Sequence, residues 1–281
     1  MIKKHLEIIV VLAISILLVS CTSQESTLEQ NFKTGTPDVQ ILSFGSDAAY
    51  QEKLFKLPVE LHNALGYDIK NVKVAIVGLD RNYVELTNYE EDLPMMEGKS
   101  ALNANGGTER IEFEGFLKKL LPGLEKNQQD YRIFVNYDSK LEFFPTICVS
   151  ASQYPGIDDG GCKAGGKMSF NGQGAPLAVT EMEIVPGQET ELRLILRNRG
   201  QGEVGKITLG TATIGGRPMF CEFRDSDSEN PKEGLFSKTK TEIHLVCNSM
   251  IPGTASYETP LFIELFYNYE INFKKKLEIS K

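Results

Sequence analysis

The sequence contains no tryptophan and few of the residues on which enzymes most often depend. Its 281 residues include only three histidines, and His5 lies in the first twenty residues. The other two, His62 and His244, sit in alternating apolar and polar segments, so we expect both to point to solvent from strands. A Ser-His-Asp triad needs one histidine in a cleft beside a nucleophile, and neither segment offers one. The composition favours a protein that is not an enzyme and uses no cofactor.

The one stretch that resembles a nucleotide site lacks the parts it would need. Residues 161–167 read G-x-x-x-x-G-K, but Met168 stands where a phosphate-binding loop places a Ser or Thr hydroxyl on magnesium. The segment after it, SFNGQGAP, contains two glycines and a proline and does not start a helix. We therefore interpret the stretch as a glycine-rich connector and expect no nucleotide.

Basic residues are outnumbered by acidic ones. The chain has 30 Lys and Arg against 38 Asp and Glu, a net charge of −8 at pH 7. This balance argues against nucleic acid as a partner and against electrostatic attraction to anionic lipid.

The last nine residues, FKKKLEISK, are the basic exception. We interpret their lysines as protection of a terminal edge strand against edge-to-edge pairing, with docking onto an acidic partner as the alternative.

The N-terminus carries the longest apolar run. Lys3 and Lys4 precede apolar residues from Ile8 to Val19, and Ser20-Cys21 follow, which is the order of an export signal. The run covers roughly 18 Å as a helix, too little for a hydrocarbon core of about 30 Å. The ending LVSC resembles the cleavage site of prokaryotic lipoprotein precursors. That resemblance implies lipid on Cys21 and a location on the outer face of the cell membrane; an ordinary cleaved signal and a retained anchor are the alternatives.

The remaining cysteines favour export as well. Besides Cys21 the chain has Cys148, Cys162, Cys221 and Cys247, and an even number in an exported chain predicts two disulfides. Of the three connectivities, we favour Cys148–Cys162 and Cys221–Cys247, because each pair then stays within or beside one domain. No C-x-x-C spacing is present, so we expect no zinc site.

Two acidic clusters raise the question of calcium. Asp225, Asp227 and Glu229 alternate as oxygen ligands do, but Asn230 replaces the glycine of an EF-hand loop and Phe236 occupies its final carboxylate position. A solvated hairpin tip is the better interpretation, and calcium is kept as a weak alternative. The pair Asp158-Asp159 is a weaker candidate still.

Apolar and polar residues alternate along most of the chain. In residues 53–63, Phe55, Leu57, Val59 and Leu61 share one face, which predicts a strand with one side on a core; Pro58 predicts that this strand lies at an edge or carries a bulge. Turn signals recur about every ten residues, which favours antiparallel sandwiches. The predicted organisation is a signal peptide (1–20), a polar tether (21–37), a first sandwich (38–149), a glycine-rich connector (150–175) and a second sandwich (176–281).

The two halves contain similar segments. Residues 59–76 align with 194–211, which matches Asn63 to Asn198. Residues 135–143 align with 267–275, which matches Asn136-Tyr137 to Asn268-Tyr269. Similar segments at similar intervals predict one domain type, present twice.

A strand that closes on Asn, a short turn with Gly and a second apolar strand together resemble the CARDB-type module. The residues that carry this resemblance are Asn63, Gly66, Ile69, Asn198, Gly200 and Val204. It implies immunoglobulin- or fibronectin-like sandwiches with a surface or adhesive role and no catalytic residues. The blocks FKTGT and NGQGAPLAVTEMEI also resemble uncharacterised lipoproteins or secreted proteins of small-genome archaea. The core tryptophan of antibody-type domains is missing here.

These features together predict an all-β chain with two tandem immunoglobulin-like antiparallel β-sandwich domains after a lipoprotein-type signal peptide. The predicted function is that of a non-enzymatic, lipid-anchored cell-surface protein in adhesion or partner binding, with a protein or a surface glycan as partner. The alternative is an accessory subunit that positions components of an envelope transport or secretion complex. A hydrolase on a sandwich scaffold would need inward carboxylates or a metal site in a cleft.

Overall fold

A computed structural model describes residues 32–45, 47–152, 161–237, 241–253 and 255–281. Within these ranges the chain forms β-strands and no helix. There is accordingly no helix in the described ranges that is long and apolar enough to cross a membrane. The predicted signal peptide, Cys21 and the tether up to residue 31 lie outside the described residues.

Strands occupy both halves of the chain. Those of the first half are β1 (Val39–Phe44), β2 (Ala48–Tyr50), β3 (Lys53–Asn63), β4 (Ile69–Val77), β5 (Val84–Leu86), β6 (Glu90–Met96), β7 (Thr108–Leu117), β8 (Lys126–Phe143) and β9 (Thr146–Val149). Those of the second half are β10 (Gly166–Ser169), β11 (Leu177–Val185), β12 (Glu189–Asn198), β13 (Glu203–Ile214), β14 (Arg217–Pro218), β15 (Phe220–Arg224), β16 (Glu233–Gly234), β17 (Glu242–Met250) and β18 (Tyr257–Ser280).

The strands form three sheets. One has the order β1-β3-β7-β5, and a second has the order β10-β11-β12-β17-β15. The third and largest has the order β14-β13-β18-β8-β4-β6, with β2, β9 and β16 attached. Neighbouring strands pair antiparallel except β2, which is parallel to β18. The expectation of an all-β, antiparallel fold is confirmed.

The largest sheet joins the two halves through β8 and β18. All 18 residues of β8 pair with β18, from Lys126 opposite Ser280 to Phe143 opposite Ile263. Tyr137 lies opposite Tyr269, so the two matched Asn-Tyr segments meet each other in the pairing. The strand order is symmetric about this pair, because β4 and β13 flank it and β1-β3-β7-β5 in one half matches β11-β12-β17-β15 in the other.

A single core lies under one face of this long sheet. In both β8 and β18 the odd-numbered side chains are the buried ones, along nearly the whole length of each strand. The two smaller sheets therefore pack side by side on the same face, and the buried residues of both halves form one hydrophobic cluster. Each fully buried Leu, Val or Ile in it contributes about 1.5–3 kcal/mol relative to exposure. The division into two separate sandwiches stays a prediction.

The strand that contains Pro58 is not an edge strand, and the bulge that was the alternative expectation lies in its partner β1, between Ile41 and Ser43. β3 lies between β1 and β7 and is paired on both sides. Pro58 is nevertheless accommodated, because the pairing of β1 with β3 ends at Phe44 opposite Val59. The proline nitrogen therefore faces Gly45, just beyond the end of β1, where no ladder hydrogen bond is needed.

Two disulfides are present, and they join the pairs favoured from the sequence. Cys148 of β9 is bonded to Cys162, with their Cα atoms 5.8 Å apart. Cys221 of β15 is bonded to Cys247, its direct partner on β17. Two disulfides are consistent with an exported protein.

A continuous core and an unbroken β8–β18 ladder predict that both halves unfold together. Leu61 in the first half and Leu194 in the second are fully buried. Either Leu61→Ala or Leu194→Ala should cost about 3 kcal/mol and lower the midpoint of one shared calorimetric transition by roughly 2–4 °C per kcal/mol. Leu102→Ala, at a fully exposed position, is the matched control and should leave the midpoint unchanged. Two resolved transitions, of which each variant shifts only one, would contradict the prediction.

Candidate functional site

The first described residues cross the boundary at which the two halves of the chain contact each other, which we call the seam. We call residues 32–38 the strap. Gly35 of the strap bridges to Gln173 of the second half, and the Gly174 amide donates a hydrogen bond of 2.9 Å to the Gly35 carbonyl. The Gly66 amide of the first half in turn donates to the Gly174 carbonyl at 2.8 Å. The strap is thus tied by a main-chain bond to Gly174, which is itself bonded to Gly66 of the first half, and residues 32–37, the last of the predicted tether, are part of the folded body.

Two glycines, Gly66 and Gly200, make room at this seam. A Cβ atom on Gly66 would lie 2.5 Å from the carbonyl oxygen of Phe32 in the strap. A Cβ atom on Gly200 would lie 2.1 Å from the Tyr269 hydroxyl and 2.8 Å from a carboxylate oxygen of Asp38. Separations this short do not occur for real side chains, so only glycine permits the strap and its contacts at these two positions.

The matched asparagines close equivalent turns on either side of the strap. The Asn63 side chain is fully buried; it donates to the carbonyl four residues on, at Tyr67, and accepts from the amide two residues on, at Leu65. Asn198 does the same, donating to the Gly202 carbonyl and accepting from the Gly200 amide. The similarity seen in the sequence is therefore one hydrogen-bonding arrangement built twice.

A carboxylate on the strap binds the two paired tyrosines. The Tyr269 hydroxyl donates to Asp38 at 2.9 Å, and the Tyr137 hydroxyl lies 3.4 Å from its other oxygen. The main-chain amide of Gln201 also donates a hydrogen bond to Asp38, at 3.1 Å. Both tyrosine side chains are fully buried; burial above all, with the nearby Asp38 charge adding to it, raises the pKa of each well above its usual value. They are therefore neutral donors to the carboxylate at physiological pH.

A second polar contact ties the strap to β8. The Lys33 ammonium lies 2.7 Å from the Glu142 carboxylate, and both side chains are mostly buried. Burial works to raise the pKa of Glu142, but hydrogen bonds from Lys140 and Lys33 outweigh it, and the pKa is held below its usual value. The site therefore holds the strap in place, and the polar side chains described here form hydrogen bonds and ion pairs with one another.

The residues singled out as calcium ligands do not form a metal site. Asp225, Asp227 and Glu229 lie in the loop between β15 and β16. In the part of the chain that the structure describes, no group of three His, Cys, Asp or Glu residues could hold a metal ion. The loop is instead organised by hydrogen bonds, among them one from the Asp227 amide to the Leu235 carbonyl. Asp158-Asp159 and Cys21 lie outside the described residues.

The two histidines lie on strands, as expected. A ring nitrogen of His62 is 3.2 Å from the Thr108 hydroxyl on the neighbouring strand. His244 of β17 lies 3.6 Å from Glu242 and 3.5 Å from Asp225, on the outer face of its sheet. Neither is placed in a cleft beside a nucleophile by these contacts.

The glycine-rich stretch runs into a strand. Residues 166–169 form β10 at one edge of the second sheet, where Lys167 pairs with Glu183 and Met168 with Met182. A phosphate-binding loop needs a helix at this point, and a strand presents no cluster of free amides to a phosphate. The later residues of the predicted connector, including Gln173 and Gly174, belong to the seam.

The basic C-terminal run lies on the second half of β18. This strand is central in its sheet, so the expectation of a terminal edge strand is only partly met. Its pairing with β13 ends at Glu270 and its pairing with β2 begins at Glu278, which leaves one open side between them. Lys275 lies in this unpaired stretch, with its ammonium 3.5 Å from the centre of the Phe44 ring.

Comparisons with known proteins add little to this geometry. No family model and no curated protein matches the chain. Among solved structures it is similar to the secreted serine protease VesC from Vibrio cholerae, at 12% identity and a TM-score of 0.23 over 88% of this chain and 48% of that one. The chain thus spans about half the length of that protein. A TM-score this low carries no argument about fold or function.

The Asp38 contacts predict a loss of stability when the carboxylate is removed. Asp38→Ala leaves the Tyr269 hydroxyl and the Gln201 amide without their acceptor, which should lower the free energy of unfolding by about 2 kcal/mol. Urea denaturation followed by far-UV circular dichroism measures it. Asp130→Ala, on the exposed face of β8, is the control and should change stability by less than about 0.5 kcal/mol. If Asp38→Ala changes the free energy of unfolding as little as Asp130→Ala does, the strap contact contributes nothing to stability.

The raised tyrosine pKa values predict alkaline instability. A tyrosine whose pKa is higher in the folded than in the unfolded state contributes stability that is complete below about pH 10 and is lost as the pH rises further. Melting temperatures measured from pH 7 to 11 should fall above about pH 10. The fall should be shallower for Tyr269→Phe than for the parent protein. An identical pH profile for the variant would contradict the role given to Tyr269.

Proposed function

We propose that the chain is a non-enzymatic, lipid-anchored cell-surface protein that acts in adhesion or partner binding. In this proposal residues 1–20 are removed on export, lipid on Cys21 holds the protein on the outer face of the membrane, and the β-sheet body makes the contacts. The partner is a protein or a surface glycan. No reaction is assigned to the body.

The body in this proposal consists of two immunoglobulin-like units of the CARDB type that complete each other. Each half supplies a four-stranded order in one layer, β1-β3-β7-β5 or β11-β12-β17-β15. In the other layer each half has a long strand, β8 or β18, and the place next to it is taken by the long strand of the other half. The symmetric order and the equivalent Asn63 and Asn198 turns support a duplicated unit.

The observation that carries the proposal is the fastening of the strap. A force applied at Cys21 would pass through residues 22–31, which reach at most about 36 Å, and enter the body at the strap. There it meets Glu142 of the first half and Gln173 of the second, besides the Asp38 contacts. An anchored protein that makes contacts at the surface needs such a junction, because the load is then shared by both halves instead of peeling one strand away.

The anchoring is tested with Cys21→Ala in the native host. We expect the parent protein in the membrane fraction, with a mass that corresponds to a chain beginning at lipid-modified Cys21. The variant should be released into the medium or keep its uncleaved N-terminus. Recovery of an unmodified Cys21 from membranes, with or without residues 1–20, would contradict lipid anchoring.

The surface role is tested by mild crosslinking on intact cells, followed by capture of the anchored protein. Binding to a surface protein or to isolated envelope glycan would support the proposal. Stoichiometric co-purification with one membrane transport or secretion complex would instead favour the accessory-subunit alternative. Recovery of only the uncrosslinked monomer in cells and no binding to envelope glycan would overturn the partner-binding role.

A further inference from the structure

One strand edge of the first half is left open. β7 pairs with β3 along its full length, but on its other side β5 covers only Gly115 to Leu117. Between Thr108 and Phe113 no strand of the described residues pairs with that side. The exposed side of this strand is thus a row of main-chain groups available to another strand.

Main-chain direction shows which groups are available. The Gly107 carbonyl accepts a hydrogen bond from Asn63 at the end of β3, so odd-numbered residues direct their main-chain groups towards β3. The Glu114 carbonyl accepts from Thr87 on the β5 side, so even-numbered residues direct theirs away from β3. The amides and carbonyls of Arg110 and Glu112 therefore point out of the open edge.

The second half shows what normally fills this position. Its equivalent strand, β17, lies between β12 and β15, and β15 pairs antiparallel with it over five residues from His244 to Asn248. A disulfide between Cys221 and Cys247 secures that pairing. The first half has only the three residues of β5 in the corresponding place. The architecture thus accepts an antiparallel strand beside β7, and the chain does not supply a full one.

Three other edge strands carry features that oppose pairing. β6 contains Pro94 and a run of acidic residues at its start. β1 has a register shift between Ile41 and Ser43. The outer side of β15 is covered, because the Phe223 amide donates to the Pro231 carbonyl and Lys232 donates to the Cys221 carbonyl. The open part of β7 has no proline, register shift or cover among the described residues.

We infer that β7 pairs edge to edge, antiparallel, with β7 of a second copy of this chain. The even-numbered residues must face each other, because they carry the outward main-chain groups. With Arg110 opposite Glu112 of the second copy, the symmetric pairing places unlike charges opposite each other twice. Shifting the register one way opposes Arg110 to Arg110, and shifting it the other way opposes Glu112 to Glu112. Charge thus selects a single register for the self-pairing.

The side chains that would set this register are accessible. Arg110 and Glu112 are 66% and 36% exposed, and they lie 3.9 Å apart at their closest within one copy. Lys56 also contacts Glu112 and Glu114 from the neighbouring strand. These exposed pairs are weak by themselves, so they can exchange for contacts across the pairing at little cost. The joined edges would make one eight-stranded layer from the two four-stranded sheets.

The test is the oligomeric state of the full chain in density-matched detergent, measured by sedimentation equilibrium over a range of concentrations. We expect a dimer whose dissociation constant rises about tenfold or more in Arg110→Glu, since two carboxylates then oppose each other at both ends of the pairing. The double variant Arg110→Glu/Glu112→Arg restores unlike charges and should return the dissociation constant to within about threefold of the parent value. Arg132→Glu, the same charge change on the exposed face of β8, is the control and should leave it unchanged.

Hydrogen exchange of the same samples locates the contact. In the dimer, the amides of Arg110 and Glu112 should exchange more slowly as concentration rises, while those of Ile111 and Phe113, which already face β3, should be protected at every concentration. The inference is overturned by a parent protein that stays monomeric at all concentrations. It is equally overturned by a dimer that Arg110→Glu does not weaken, or by a dimer in which the Arg110 and Glu112 amides exchange at the monomer rate.

Discussion

The pairing of β8 with β18 is the constraint on which the rest of the structure depends. It runs over all 18 residues of β8 and sets Tyr137 opposite Tyr269. Because side chains alternate with a period of two, this register brings the buried faces of both strands to the same side of the sheet. The two smaller sheets then have one continuous surface to cover, and a slip of one residue in either strand would expose its whole apolar set.

The same pairing explains why the strap lies where it does. The two tyrosines meet at the seam, and their hydroxyls need a partner because burial leaves them out of reach of water. Asp38 supplies it, and in doing so fixes the strap. Gly66 and Gly200 keep the space open for the strap and for these hydroxyl groups. One arrangement, built from similar segments of the two halves, thus gives the buried hydroxyl groups their partner and fixes the position of the strap.

Much of this fold could be predicted from the chain. Alternation in segments such as residues 53–63 identified strands, because one face of each is buried. The cysteine count and spacing favoured the two disulfides that are present. The matched Asn-Tyr segments pointed to a duplication, although not to their direct contact. Pairing partners cannot be read from alternation, since every half-buried strand shows the same period.

The candidate site was harder to predict, for a physical reason. Residues 32–37 have no periodicity, so they were interpreted as the end of a polar tether, and Asp38 as the start of the first sandwich. The contacts that hold them come from Gln173, Glu142 and Tyr269, which are more than a hundred residues away. The motif FKTGT with its glycine and the paired asparagine turns were the available signals. The acidic cluster at Asp225 had been interpreted as a solvated hairpin tip with calcium as the weaker alternative, because alternating carboxylates suit both.

Native-state hydrogen exchange along β8 and β18 tests the central claim most directly. If the two strands form one ladder that completes both halves, the amides from Ile133 to Leu141 and those paired with them on β18 should exchange only through global unfolding, with one common free energy. Added denaturant should lower that free energy with the same dependence at every one of these positions. If the amides of one strand exchange through a partial opening while those of the other strand stay protected, the account is contradicted.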